Sequence, residues 1–113
     1  MAESTKEFFE KFKKDAGKMK ELMPGAVNSF MSLFAGIVQD GVLSAKEKEF
    51  IALGIAVAQQ CEPCIKLHTQ KCLAAGAAKE QILEAASVAI MMAGGPAYTH
   101  IPVVVDTLEA LTG

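Results

Sequence analysis

Residues 44–68 read SAKEKEFIALGIAVAQQCEPCIKLH, and this stretch decides the fold. Ser44 followed three residues later by Glu47 is a capping-box signature, in which a hydroxyl and a carboxylate satisfy amides at a helix start. The apolar run through Phe50, Ile51, Leu53, Ile55 and Val57 predicts a helix that fades near Gln59 and Gln60. Gly54 inside it costs helix stability and predicts close approach of another helix. Pro63 suits the first turn of the next helix, where no amide hydrogen is needed. That helix is expected to end at Gly76, a C-cap residue type.

The flanking segments also read as helices. Ser4 with Glu7 is a further capping-box signal, with Phe8, Phe9, Phe12, Ala16 and Met19 following at helical spacing. Pro24-Gly25 breaks the chain, and a second helix is expected over about residues 26–39, stopping at Asp40-Gly41. Lys79–Ala93 carries Ile82, Leu83, Val88, Ile90, Met91 and Met92 and is apolar nearly all round. Such a helix belongs in a core or a subunit interface. Gly94-Gly95-Pro96 ends it. In residues 97–111 the Val103-Val104-Val105 triplet favours a strand, whereas the spacing of Ile101, Val104, Leu108 and Leu111 favours a helix. Helix is the consistent reading, because a lone strand has no partner for its backbone groups. The expectation is an all-α, compact helical domain of about six helices over residues 1–113. No repeat, low-complexity stretch or long linker interrupts it.

Composition narrows the function. The chain has eleven basic residues, all lysine, and a formal net charge of -2. Arginine is the side chain that reads phosphate and guanine in a bidentate way, so nucleic acid is not an expected partner. Six lysines fall in residues 6–20, interleaved with Glu7, Glu10 and Asp15, which is the pattern of a solvated helix face. The N-terminus lacks the basic-then-apolar order of a signal peptide, and the apolar runs are too short to span a bilayer. A cytoplasmic protein that does not engage a membrane is expected. With 51% hydrophobic and 21% charged residues, self-association is expected to cover the surplus apolar surface.

In a reducing compartment, paired cysteines point to redox catalysis or metal binding. Cys61 and Cys64 stand at a helix start with two residues between them, a spacing that can close a disulfide. The helix N-terminus favours negative charge and so lowers a thiol pKa there. His68 lies four residues after Cys64 on the same face and could accept its proton. Cys64 is therefore read as the attacking thiolate and Cys61 as its resolving partner. Cys72, four residues beyond His68, raises the alternative of a Cys-Cys-His-Cys zinc site. Four ligands spread over about 12 Å of one helix fit a tetrahedral ion poorly, so Cys72 reads as packing and no metal is expected. Glu62 reads as an exposed acid, and His100, after Tyr98-Thr99, as an interface residue with a lesser claim to a pocket.

The run from Glu49 through Cys61, Cys64 and His68 in a small helical chain resembles the carboxymuconolactone decarboxylase-like superfamily, and within it the alkylhydroperoxidase D-like branch. The resemblance is strongest over about residues 45–95. It implies an all-helical homo-oligomer, a trimer or hexamer, with antioxidant, peroxiredoxin-type activity and no cofactor. It implies a hydroperoxide substrate and recycling by a dithiol reductant protein of the lipoyl or thioredoxin type. By the same resemblance Cys64 is the peroxidatic cysteine, Cys61 its proton donor and resolving partner, and His68 and Glu49 belong to a proton relay. The hydroperoxidase has a histidine just before its second cysteine, where this chain has Pro63.

Spacing alone does not place Glu49 in that relay. It lies about 18 Å before Cys61 along a straight helix, and His68 only about 6 Å beyond Cys64, so a tight antiparallel hairpin does not bring them level. Contact needs a crossing angle or an early end to the first helix, and otherwise Glu49 reads as a surface charge or a partner for a nearby lysine. Two other readings stay open: a decarboxylase-like enzyme that does not need the cysteines, and a non-enzymatic oligomeric module that binds a metal or a partner.

Overall fold

The Ser44 capping box forms. Glu47 N–H donates to Ser44 Oγ at 3.1 Å, and Ser44 N–H donates to Glu47 Oε1 at 2.8 Å. The computed structural model describes residues 2–113, with side-chain surroundings from Ser4 onward. Among the described residues all regular structure is helical: α1 Ala2–Leu22, α2 Pro24–Val38, α3 Ala45–Ala58, α4 Glu62–Ala74, α5 Lys79–Ala93, the single turn α6 Gly95–Tyr98, and α7 Ile101–Thr112. The Ser4 signal is not a boundary, since α1 starts before it. Water satisfies the amides of an exposed helix end, so a hydroxyl is not required there. Likewise α2 starts at Pro24 itself, where the missing amide hydrogen costs nothing.

The turn between α3 and α4 closes on a Schellman pattern. Cys61 N–H reaches back to Ala56 O at 3.1 Å and Gln60 N–H to Val57 O at 3.1 Å. This needs a left-handed residue, and Gln60 supplies it at φ 57° without being glycine. The end of α4 repeats the pattern with a glycine: Ala77 N–H bonds Cys72 O, Gly76 N–H bonds Leu73 O, and Gly76 has φ +91°.

These two turns fold α3 against α4 and bring α5 onto α3. Leu53 and Val57 of α3, Ile65 of α4, Ile82 and Ala86 of α5, and Val104 and Leu108 of α7 form the buried core. Each large aliphatic side chain buried there contributes roughly 1.5–3 kcal/mol. The valine triplet is helical because Val104, Thr107 and Leu108 share one buried face, and burial outweighs local β preference. Thr107 returns its hydroxyl proton to Val103 O at 2.8 Å, which makes its burial affordable.

α1 carries its lysines outward, with Lys11 paired to Asp15 at 2.6 Å. Its Phe8 stacks on Phe12 and lies under the Lys66 ammonium of α4 at 4.7 Å. α2 buries no residue fully; Val27, Phe34 and Val38 form its half-buried stripe. Lys48 of α3 tethers its end by donating to Ile37 O and Gln39 O at 2.8 and 2.7 Å. No single described helix is long and apolar enough to cross a membrane.

Candidate redox site

Cys61 is the N-cap residue of α4, and Cys64 sits in its first turn, with Pro63 between them at a position that donates no helix hydrogen bond. The two sulfurs are joined as a disulfide, with the Cα atoms 5.2 Å apart. Cys64 N–H donates to Cys61 Sγ at 3.3 Å, so the sulfur fills the place that a serine or aspartate oxygen takes at other helix starts. The same amides and the helix dipole would face a thiolate once the pair is reduced.

Two turns into α4, His68 Nδ1 and Glu49 Oε1 of α3 lie 2.7 Å apart. The straight-helix arithmetic for Glu49 gives way because the first helix ends early, one of the two conditions for this contact. That arithmetic counted the turn at Gln59–Cys61 as if it were helix. Measured from the turn instead, Glu49 is nine residues before the end of α3 and His68 six residues into α4. The offset is only about 4.5 Å, which two side chains span. Nor is Glu49 a surface charge: its side chain is 6% exposed and that of His68 18%. A buried carboxylate needs such a partner. Engaging Nδ1 leaves Nε2 as the other proton-bearing position of the imidazole.

Residues the sequence reading passed over complete the surroundings. Phe34 of α2 lies over the His68 ring, centroids 5.9 Å apart and planes 18° from parallel. A cavity of about 350 Å³ opens beside the pair, lined mainly by Phe30, Leu33, Phe34 and Ile37, with Lys48, Glu49 and His68 as its polar members. The available signal was the Phe30 and Phe34 pair, one turn apart on a helix without a charged residue.

Cys72 is fully buried. Burial, with the Glu49 charge adding to it, pushes its thiol up to about 12. It is a packing residue in the core and not part of the redox pair. Glu62 is exposed. His100 points its Nδ1 at Pro96 O, 2.8 Å away within the α6–α7 turn, and is not among the residues lining the cavity beside His68. Among the described residues, no group of three or more histidine, cysteine or acidic side chains gathers as metal ligands would.

Comparison with known proteins places this arrangement in a lineage. Residues 24–101 match the model of the carboxymuconolactone decarboxylase family. A solved carboxymuconolactone decarboxylase family protein of Legionella pneumophila, in its apo form, superposes with a TM-score of 0.91 at 30% identity, covering 97% of this chain and 98% of that one. One from Thermotoga maritima superposes with a TM-score of 0.70 at 30% identity, over 76% and 89% of the two chains. An uncharacterized protein of Cupriavidus necator is 33% identical over 95 residues, 84% of each chain.

Proposed function

The chain belongs to the carboxymuconolactone decarboxylase family, and from that premise we propose that it is a thiol-dependent hydroperoxide reductase working through Cys61 and Cys64. The observation that carries this reading is a disulfide-forming pair at the N-terminus of α4, with His68 further along that helix and paired to the buried Glu49 of α3. A role in antioxidative response has been suggested for the Thermotoga maritima relative, in line with this chemistry.

In the proposed cycle, His68, held by Glu49, takes the proton of the reduced Cys64. The Cys64 thiolate attacks the terminal oxygen of the hydroperoxide. The O–O bond breaks, the alkoxide leaves with a proton from the imidazolium, and Cys64 becomes a sulfenic acid. Cys61, deprotonated, then attacks the Cys64 sulfur, and hydroxide departs as water with the proton that Cys61 gave up. The product is the disulfide, which is the state in this structure. A dithiol protein of the lipoyl or thioredoxin type returns two electrons and two protons by thiol–disulfide exchange. The site is cytoplasmic in this proposal, where such reductants are found.

Self-assembly into a trimer or hexamer is part of the same proposal. Ile51 and Ile55 of α3 and Val88 and Met92 of α5 leave an apolar groove of about 480 Å³ uncovered in the single chain. A second copy would cover it.

The test is a free-thiol count by mass spectrometry on the reduced protein, before and after one equivalent of cumene hydroperoxide. Wild type should lose two thiols and gain a Cys61–Cys64 crosslink; Cys64→Ser should form none. Survival of all three wild-type thiols would end the peroxidase reading and favour a decarboxylase-type reaction on the Glu49–His68 pair.

A further inference from the structure

The Phe34 ring makes two contacts with one helix. The His68 imidazole stacks on it, and the Lys71 ammonium lies 4.4 Å from its centroid. His68 and Lys71 are three residues apart on α4 and share a face, so together they grip a side chain that arrives from α2. Both contacts are of attractive kinds, near-parallel ring stacking and cation–π. The ring also borders two hollows. One is the 350 Å³ cavity that His68 lines; the other, of about 390 Å³, is lined by Lys71, Met31, Ala35, Ala74 and Ala75. Phe34, Val38 and Glu49 border both.

We propose that Phe34 is a positioning residue: held by its contacts to His68 and Lys71, it fixes the plane of the imidazole against Glu49 and covers that ring from water. The Glu49 hydrogen bond holds the ring at Nδ1, and the ring can still rock about its Cβ–Cγ bond within the slack of that one contact. A flat neighbour removes that freedom, and water kept off the ring strengthens the Glu49–His68 hydrogen bond. The proposal rests on reading that pair as the proton carrier of the redox site, but its structural content is separable.

Diethyl pyrocarbonate labelling of the oxidised protein tests it. The chain has two histidines, and each has its Nδ1 engaged, His68 by Glu49 and His100 by Pro96 O. His100 is therefore an internal reference for peptide mapping. Phe34→Ala and Lys71→Met should each raise the His68:His100 labelling ratio about fivefold, the change expected when one ring contact of this kind is lost. Phe34→Tyr should keep the wild-type ratio. An unchanged ratio in both disrupting variants, or a Phe34→Tyr protein as reactive as Phe34→Ala, would overturn the proposal. The labelling ratio does not depend on turnover, so failure of the peroxidase reading shows separately, as wild-type thiols that survive peroxide.

Discussion

Glu49 and His68 are nineteen residues apart in the chain and 2.7 Å apart in the fold, joined across the α3–α4 hairpin in a largely buried setting. In the proposed cycle this contact would couple stability to chemistry. The hydrogen bond that relieves burial of the carboxylate engages Nδ1 and leaves Nε2 as the nitrogen that the proposal uses for proton transfer.

Removing one partner should therefore affect both. Glu49→Ala is expected to slow single-turnover thiol oxidation by roughly 10²–10⁴-fold, the range for loss of positioned acid–base catalysis. Glu49→Gln should retain the fold better, because an amide still bonds the ring, yet be nearly as slow. Stopped-flow peroxide oxidation of both variants, with urea melts alongside, checks this. Wild-type rates in Glu49→Gln would remove the carboxylate from the mechanism.

Cys72 should behave as an inert thiol. With its thiol pushed up to about 12 by burial, it stays protonated wherever an unfolded thiol, near 9, has already ionised. Its native environment therefore contributes stability that is intact below about pH 9 and is lost as pH rises toward 12. Iodoacetamide at pH 8 should alkylate Cys61 and Cys64 in the reduced native protein and leave Cys72 untouched until denaturant is added. Between pH 8 and 10.5, wild type should lose more stability than Cys72→Ala in parallel melts.

The two left-handed turn residues should respond in opposite directions. Gly76→Ala forces a β-carbon into φ +91° and should cost about 1–2 kcal/mol. Gln60→Gly relieves the same kind of conformation at φ 57° and should be neutral or stabilising by up to about 1 kcal/mol. Urea titrations of both variants decide it; destabilisation by Gln60→Gly would mean that the Gln60 side chain holds the turn by some other contact.

The α3–α5 groove should be the self-association face. Ile55→Lys, at a residue 53% exposed in the single chain, should shift the light-scattering mass from a multiple of the chain toward 12.0 kDa. The same substitution on a monomer would leave the mass unchanged, and a wild-type mass of one chain would remove the proposed assembly.

The sequence by itself determined the helical class, most helix boundaries and the position of the cysteine pair, because these depend on local chemistry. A serine and glutamate three apart cap a helix, a proline fits a first turn, and Cys61 and Cys64 need only their shared helix start to meet. Local signals conflicted at Val103-Val104-Val105, where burial of Val104 and Leu108 settled the helix. The Glu49–His68 contact was decided by tertiary structure alone. It depends on how tightly the Gln59–Cys61 turn closes, and that rests on Gln60 adopting a left-handed conformation which nothing in its residue type announces. Phe34 stayed out of sight for the same reason: its partners His68 and Lys71 lie on another helix, and only packing brings α2 over them.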